Sequence, residues 1–530
     1  MKRKIKLDLG NGKIREQEIN YIPGRYIFAF AITLLEVLAI IGIMFALCMF
    51  VPYFYIAVGI TTFAVELKII ASDDNPDYKI PWMLFVLIIP VAGLMLYFIF
   101  GSRKLKKKFI KRLNDLKNLS YTQEDKELLE QLEIENPIAY TQAKTLINIA
   151  DTHLFTNTKQ TYYPSGEEYH KALLEDLRKA TKFIYLEYFI IEEGKFWNSI
   201  LDILKEKASI GVDIRVAFDD IGCMSTLPGN YAKQLGEFGI KATPFSRMKG
   251  QADNEFNNRN HRKITVIDGV IGYTGGINIA DEYINAFPKY GHWKDAGIRL
   301  EGEAVRELTK LFLIDFGINL KTPLNLPDNL YPKIDIEERG YIVPFGDGPK
   351  PLYRWRVGKT IIQNMLATAT KYVYITTPYL IIDNELCVSI ENAALRGVDV
   401  RIIVPHIPDK KIIFNMTKSF YKRFIDSGVK IYEYEPGFIH AKTYIADDKY
   451  AIIGTINLDY RSLVHHFENG VWLYNCDSVK DLKNDINNTL SKSIDITPKM
   501  LKTNLLNRLF RAIVRIFAPM LWWRKYGRKN

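Results

Sequence analysis

Cysteine is scarce in this sequence, and its placement excludes two kinds of site. The four cysteines, Cys48, Cys223, Cys387 and Cys476, are scattered through 530 residues. No C-x-x-C pair occurs, so the spacing typical of zinc sites and of disulfide frameworks is missing. No cluster of histidine and carboxylate residues has metal-ligand spacing, and catalysis by serine or cysteine lacks comparable support. We therefore expect no cofactor and no metal, with the cysteines buried as small apolar residues.

Histidine is also scarce, with eight in the chain, yet two of them occupy matched positions. Two cassettes of the pattern H-x-K-x-x-x-x-D lie 179 positions apart, and each is followed by an asparagine 17 residues after its histidine. The first copy contains His261, Lys263, Asp268 and Asn278, and the second contains His440, Lys442, Asp447 and Asn457. Such self-similarity indicates a duplicated unit. The adjacent pair His465 and His466 has no counterpart in the first copy and is interpreted as ordinary scaffold.

The repeat extends upstream of the cassettes and predicts the fold class. Residues 180–185 resemble 369–374, and 211–215 resemble 397–401. Each copy begins with a β-branched and aromatic run followed by a helical stretch and a second apolar run, a pattern typical of α/β units. The cassettes themselves read as strands, since their alternation places histidine and lysine on one face. We predict two duplicated α/β domains around one shared site.

Two histidines and two lysines at one site favour phosphoryl chemistry. A neutral imidazole can attack phosphorus, while a protonated one can donate its proton to the departing oxygen. Two close histidines titrate as a coupled pair, so activity should peak between two apparent pKa values. The lysines and asparagines supply donors that suit an anionic centre, and a phosphodiester fits best.

The first hundred residues differ in composition from the rest and predict membrane helices. Three apolar runs cover residues 26–50, 51–70 and 80–100, and each approaches the ~20 residues that a spanning helix needs. Basic clusters precede the first run and follow the third. The positive-inside tendency places both clusters in the cytoplasm, which requires an even number of crossings, whereas three runs give an odd number. One possibility is that one run does not cross the membrane, and the run with Glu66 and Lys68 is then the weakest candidate. The other is that one basic cluster lies outside the cytoplasm, against this tendency.

The chain is predicted to divide into six parts. Residues 1–25 form a basic tail, 26–100 transmembrane helices, and 101–150 a basic connector that is helical around 123–131. The two α/β domains cover 151–335 and 336–495. Residues 496–530 are predicted to form a basic amphipathic helix suited to an anionic membrane surface, with apolar residues at helical spacing and a tryptophan pair beyond. Packing of that helix on the preceding domain is the alternative.

The cassettes resemble those of the phospholipase D superfamily, which carries paired H-x-K-x4-D motifs. More narrowly, the chain is similar to bacterial cardiolipin synthases over nearly its full length, including residues 79–82 in the apolar part, 275–283 after the first cassette and 457–462 after the second. The resemblance implies transmembrane helices followed by two phospholipase D-like domains. It departs from the family at Thr455, where the first copy has Gly276, and by one additional apolar run.

The resemblance also implies roles for individual residues. One of His261 and His440 becomes a phosphatidyl-histidine and the other acts as acid and then base, with His261 favoured as nucleophile. Lys263, Lys442, Asn278 and Asn457 hold phosphate oxygens. Family members carry a downstream carboxylate that orients a histidine, and alignment assigns this role to Asp295 and Glu468. Asp268 and Asp447 belong to the catalytic motif, but each ends its strand at a turn, so we expect them away from the reacting atoms.

The implied reaction joins two phosphatidylglycerol molecules into cardiolipin and glycerol, in an enzyme integral to the bacterial cell membrane. Water must lose the competition for the intermediate, which an active site held against the bilayer favours. A hydrolytic phospholipase D or another phosphatidyltransferase is the nearest alternative. A membrane-tethered nuclease is a further one, although the net charge of +11 suits lipid headgroups equally well and we expect no nucleic acid partner. A non-catalytic scaffold is the last, and the oligomeric state is open.

Overall fold

The structure is a computed structural model and describes most of the chain. The described residues are 2–8, 14–20, 23–50, 52–101, 126–247, 258–318 and 336–501, together with single residues or short pieces between 320 and 334 and between 509 and 515. The predicted basic tail contains two antiparallel strands, Lys2–Asp8 and Ile14–Asn20, which sequence analysis did not anticipate. Most of the predicted C-terminal amphipathic helix falls outside the described residues.

The apolar N-terminal region folds differently from the three predicted spans. Its helices are Pro23–Phe50, Pro52–Ile70, Pro76–Ile88 and Pro90–Leu96, the last followed by a π-helical turn, Tyr97–Gly101. Within the described residues, only the stretch Tyr53–Ile70 is long and apolar enough to cross a membrane. This stretch contains Glu66 and Lys68. The run that was expected to be the weakest candidate for a membrane crossing is therefore the one that is long and apolar enough. The third run is not one helix, because it breaks at Ile89, before Pro90.

The connector does more than join two parts of the chain. Its described part forms the helices Lys126–Glu135 and Pro137–Ala150, the first of which overlaps the stretch 123–131 that was predicted to be helical. Their apolar faces enter the hydrophobic core of the second repeat, with Leu132 and Leu146 fully buried there. Gln142 of the second connector helix accepts a hydrogen bond from the indole of Trp472, which belongs to the second repeat, at 3.0 Å. The connector is therefore an integral layer of the second domain.

The first repeat forms a seven-stranded mixed sheet. The spatial order of its strands is Thr158–Tyr163, Gly297–Gly302, Ile271–Gly275, Lys263–Ile267, Phe183–Tyr188, Asp213–Asp219 and Lys241–Phe245. The last three strands are parallel neighbours, and the others pair antiparallel. Its helices are Gly166–Lys179, Lys195–Ser209, Tyr231–Gly236, the 3₁₀ turn Asp281–Ile284 and Val305–Ile318.

The second repeat reproduces this topology and adds one edge strand. The order is Tyr341–Asp347, Glu468–Tyr474, Tyr450–Gly454, Thr443–Ala446, Tyr372–Thr376, Asp399–Pro405, Lys430–Tyr434 and Ser493–Asp495. Its helices are Val357–Thr368, Asn384–Leu395, Lys411–Asp426, Tyr460–Val464, Asp477–Ser491 and the 3₁₀ turn Pro498–Leu501. The shared strand order agrees with the duplication predicted from sequence.

One hydrophobic cluster joins the two repeats, in addition to the core that each repeat has of its own. Side chains of both central sheets, including Ile264 and Val266 of the first and Ile445 and Val471 of the second, belong to the same buried cluster. Burial of this kind stabilises by about 25 cal/mol per Å² of apolar surface. The two sheets therefore pack against each other, which brings the two cassettes to one place.

Each cassette straddles the start of a strand rather than lying within it. The first strand begins at Lys263 and the second at Thr443, so both histidines precede regular pairing. Instead, each histidine is held by the other repeat: His261 N donates to Phe467 O at 2.8 Å, and His440 N donates to Lys294 O at 2.6 Å. The histidines therefore lie just before the cassette strands, and backbone pairing between the repeats sets their positions.

Candidate active site

The histidine of the first cassette is hydrogen-bonded to a carboxylate of the second repeat. His261 Nδ1 lies 2.9 Å from Glu468 Oε2 and 3.0 Å from Oε1. The carboxylate is fully buried and also accepts hydrogen bonds from the Ser462 hydroxyl at 2.6 Å and from the Thr455 hydroxyl. These fixed donors hold the carboxylate, which in turn fixes the orientation of the imidazole.

The histidine of the second cassette has the reciprocal partner. His440 Nδ1 lies 2.7 Å from Asp295 Oδ2, and Asp295 is fully buried in the first repeat. The other oxygen of that carboxylate accepts from Ala296 N at 2.8 Å. With Nδ1–H directed at a carboxylate in both halves, the lone pair of each neutral ring is on Nε2.

Parallel backbone pairing between the repeats positions each histidine next to its carboxylate partner. Gly437–Ile439, which leads directly to His440, pairs in parallel with His292–Lys294, which leads directly to Asp295. In the other half, a parallel bridge joins Asn260 with Phe467, again one residue before the histidine and the carboxylate. The repeats therefore cross over, and each supplies the carboxylate for the other's histidine.

Both cassette lysines are buried beside their histidines. Lys263 Nζ donates to the His261 carbonyl at 2.6 Å and lies 5.6 Å from the centre of the Phe189 ring. Lys442 Nζ donates to the His440 carbonyl and lies 2.7 Å from His440 Nδ1. Burial lowers the pKa of Lys263 to about 7 and that of Lys442 to about 8, although Glu468 and Asp295 act in the opposite direction. A bound anion would restore their charge, so the centre suits an anionic group.

The two imidazoles have different electrostatic surroundings. Burial lowers the pKa of His261 well below its ordinary value, and Lys263, Lys442 and His440 lower it further. Burial and Lys442 lower the pKa of His440 to about 4, but Asp295 opposes them. Burial alone would raise the pKa of Asp295, yet His440 and Lys442 hold it below its usual range. Burial and the nearby lysines therefore disfavour the protonated form of both rings.

The cassette aspartates bind backbone and not the reacting groups. Asp268 accepts from the amides of Thr181, Lys182 and Phe183 and from the Thr181 hydroxyl, at 2.8 to 2.9 Å. Asp447 makes the same four contacts with Thr370, Lys371 and Tyr372, at 2.7 to 3.0 Å. Both have positive φ, 54° and 55°. They fasten the cassette strand to the neighbouring strand, whose Thr-Lys-aromatic start is part of the sequence repeat.

The two asparagines differ in their engagement. The Asn278 side chain accepts from Ile190 N at 3.0 Å and donates to the Tyr283 hydroxyl at 2.7 Å. Asn457 is also buried, but its side-chain oxygen has no hydrogen-bond partner within the described part of the chain. Of the pair, Asn457 has the greater capacity for a new contact.

The departure at Thr455 has a steric explanation. A Cβ at Gly276 would lie 2.1 Å from Asp295 Oδ1, so only glycine fits beside that carboxylate. In the second repeat the longer side chain of Glu468 brings its carboxylate to the Thr455 hydroxyl, which donates to it. The pairs Gly276–Asp295 and Thr455–Glu468 are two solutions for holding the orienting carboxylate.

His466 was missed as a neighbour of the reacting groups. Its ring lies 5.5 Å from the His261 ring, with an interplanar angle of 42°. Trp293 lies at the same distance and angle from His440. Each stands two residues before its orienting carboxylate, which is the signal that alignment of the repeats offered. His466 thus lies beside the cassette histidine, in the position that Trp293 has in the first repeat.

His261, His466 and Glu468 form a set of three residues whose ligand atoms lie within 4.8 Å of one another. Sequence spacing did not reveal it, since His261 is distant in the chain. Arg461 Nε donates to His466 Nε2 at 3.2 Å, so the proton of the neutral His466 ring is on Nδ1, 3.7 Å from Glu468. His261 Nδ1 is engaged with Glu468 as well. Hydrogen bonds thus engage His261 Nδ1 and His466 Nε2, whereas His466 Nδ1 has no hydrogen-bond partner in the part of the chain that the structure describes.

Comparison with known proteins agrees with this fold. A family model described as cardiolipin synthase, phospholipase D-like domain, matches residues 173–291 and 362–490, and a phospholipase D-nuclease N-terminal model matches 60–102. The solved phosphatidylserine synthase of Haemophilus influenzae superposes with a TM-score of 0.54 at 16% identity, covering 72% of this chain and 97% of that one. It is similar in fold.

Sequence relatives narrow the family. An uncharacterized protein of Streptococcus mutans is 42% identical over 461 residues, covering 86% of this chain and 99% of its own length. Cardiolipin synthase of Halalkalibacterium halodurans is 32% identical over 88% of this chain and 94% of its own, and cardiolipin synthase 2 of Bacillus anthracis is 32% identical over 87% and 90%. The chain belongs to the cardiolipin synthase family of phospholipase D-like proteins.

Proposed function

We propose that this protein is a phosphatidyltransferase that makes cardiolipin and glycerol from two molecules of phosphatidylglycerol. The observation that carries the proposal is the crossed centre, in which His261 bonds Glu468 and His440 bonds Asp295 beside two buried lysines. Similarity to cardiolipin synthases over most of the chain supports the choice of lipid.

In the proposed mechanism His261 is the nucleophile. Its Nδ1–H donates to Glu468, which leaves Nε2 to attack the phosphorus of the first lipid. The bond between phosphorus and the oxygen of the headgroup glycerol then breaks. His440, in its protonated form, donates a proton to that oxygen and glycerol leaves. His440 then takes the proton from a hydroxyl of the second lipid, whose oxygen displaces His261 and forms cardiolipin.

The remaining groups stabilise charge on the transferred phosphate. Lys263 and Lys442 supply cations, and we assign the side-chain NH2 of the buried Asn457 to donating a hydrogen bond to a phosphate oxygen. We assign Asn278 to positioning, since it ties Ile190 to Tyr283. We assign Asp268 and Asp447 to positioning as well, through the strand start that they hold.

We further propose that the enzyme is a multi-pass membrane protein. We place one crossing in the helix Pro52–Ile70, which contains the qualifying stretch Tyr53–Ile70. We place the other in the preceding helix Pro23–Phe50, because it has 28 residues and the sequence of residues 26–50 is apolar. The proposed catalytic domains cover residues 151–335 and 336–495, with the helices of 101–150 added to the second. Substrate would then enter from the bilayer, where water is restricted.

Incubation of the purified protein with phosphatidylglycerol alone tests the reaction. Cardiolipin and glycerol in equal amounts, both lost in His261→Ala and His440→Ala, support the proposal. Phosphatidic acid as the main product would instead identify a hydrolase. Salt-sensitive cleavage of DNA that disappears in His261→Ala would identify a nuclease.

A further inference from the structure

The third apolar run reverses direction at its centre. The helix Pro76–Ile88 and the segment formed by Pro90–Leu96 and Tyr97–Gly101 pack against each other. A Cβ on Gly93 would lie 2.6 Å from Val86 Cα, and the rings of Trp82 and Tyr97 are 5.5 Å apart. Gly93 thus contacts Val86, and Tyr97, four residues after Gly93, contacts Trp82, four residues before Val86. Because the contacts advance along one arm while they go back along the other, the two arms run antiparallel.

Neither arm is long enough to cross a bilayer. The first has 13 residues and the second has 7 plus 5. At 1.5 Å per residue, each arm is about 20 Å long or slightly less. The hydrocarbon core is about 30 Å thick. A folded hairpin of this length enters the membrane and returns on the side of entry.

The turn of this hairpin suits an apolar environment. Leu87, Ile88 and Ile89 are 64%, 72% and 47% exposed, and no charged residue occurs from Ile80 to Gly101. Part of the backbone at the turn is hydrogen-bonded, because Ile89 N donates to Phe85 O and Ile89 O accepts from Gly93 N, while Pro90 has no N–H that would need a partner.

The open end of the hairpin is polar and contacts the second catalytic domain. Asn75 donates to Asp383 and Glu385 at 3.1 Å, and Asp77 accepts from Asn384 N at 2.7 Å. Tyr78 packs edge-on against the rings of Tyr460 and His465, at 5.3 and 5.9 Å. Tyr460 is the first residue of the short helix Tyr460–Val464, and His465 directly follows that helix. The same helix carries Ser462, whose hydroxyl donates to Glu468.

We propose that residues 76–101 form a re-entrant hairpin that inserts into one leaflet beside the active site and returns to the side of the catalytic domains. It occupies lipid alongside the crossing helix, since Val86 and Leu94 share a buried cluster with Val58 and Val65. With two crossings before it, both basic clusters lie on one side, which satisfies the positive-inside tendency and places catalysis in the cytoplasm. The inference rests on the proposed crossing but not on the lipid reaction.

Thiol labelling of the full-length protein in sealed vesicles tests the topology. The native cysteines Cys223, Cys387 and Cys476 are buried, so a protein in which Cys48 is replaced by alanine should show little labelling of its own. Single cysteines are introduced as Ser72→Cys and Ser102→Cys at the two ends of the hairpin, Ile88→Cys at its turn and Gly59→Cys in the crossing helix. The reagent is a membrane-impermeant maleimide, added outside or trapped inside, with cardiolipin synthesis as a check on folding.

The hairpin predicts that Ser72→Cys and Ser102→Cys react from the same side, while Ile88→Cys reacts from neither until detergent is added. Reaction of the two end positions from opposite sides would overturn it, as would labelling of Ile88→Cys in intact vesicles. Gly59→Cys separates the two proposals, because a Cβ there meets no atom within 4 Å. Its labelling in intact vesicles would reject the crossing itself.

Discussion

His261 and Glu468 lie 2.9 Å apart although they belong to different repeats, and the reciprocal pair, His440 and Asp295, lies at 2.7 Å. Neither repeat contains a complete half of the centre. A histidine without its carboxylate would lose both its orientation and its tautomer, so each repeat depends on the other for catalysis. This crossing explains why one reaction centre needs two copies of the cassette.

Removal of either carboxylate's charge should therefore impair catalysis without unfolding the protein. In Glu468→Gln and in Asp295→Asn we expect kcat for cardiolipin synthesis to fall by roughly 10²- to 10⁴-fold, because the imidazole is no longer held in the required tautomer. Melting temperature monitors folding. The control is Asp477→Asn, a carboxylate that is 69% exposed and should leave kcat unchanged. Near-normal turnover in both site variants would contradict the assigned role.

The glycine and threonine next to the carboxylates should not be interchangeable. We expect Gly276→Thr to abolish activity, since its Cβ would displace Asp295 from a position only 2.1 Å away. Thr455→Gly removes one hydroxyl donor to Glu468 but leaves Ser462, so its kcat should fall only about 10-fold. Initial rates of the two variants, measured with equal amounts of folded protein, test this order. Equal losses would argue against the steric account.

His466 should affect turnover more than substrate binding. It accepts from Arg461 and packs on His261, so in His466→Leu we expect kcat to fall about 10-fold with little change in KM. His466→Asn retains an acceptor for Arg461 and should recover part of the rate. A merely structural role predicts instead that both variants lose folded protein while the folded fraction keeps its kcat.

Activity at alkaline pH should depend on the buried lysines. Burial lowers the pKa of Lys263 to about 7 and that of Lys442 to about 8, and each is cationic only below its pKa. We therefore expect kcat/KM to fall as pH rises through this range, while kcat falls only at higher pH because bound phosphate raises both pKa values. Rates in mixed micelles from pH 6 to 9.5 test it. Lys480→Gln, at a lysine 68% exposed, should keep the profile, and a flat kcat/KM would refute the claim.

Sequence predicted the parts of the fold that repetition encodes. The cassettes, the paired α/β units and the alignment that selected Asp295 and Glu468 all depend on similarity between the two copies, which the shared strand order reflects. What sequence missed depends on contacts between distant segments. His466 approaches His261 only across the repeats, and the connector's apolar face is buried by the second domain. The hairpin within residues 76–101 was hidden because hydropathy does not record a reversal, although Pro90 marks its place.

Mapping of the covalent intermediate tests the central claim most directly. The enzyme is mixed with phosphatidylglycerol, quenched within the turnover time, digested, and searched by mass spectrometry for a phosphatidyl adduct on histidine. The crossed centre with His261 as nucleophile predicts an adduct on His261 that disappears in His261→Ala. An adduct on His440, or turnover with none on either histidine, would contradict the account.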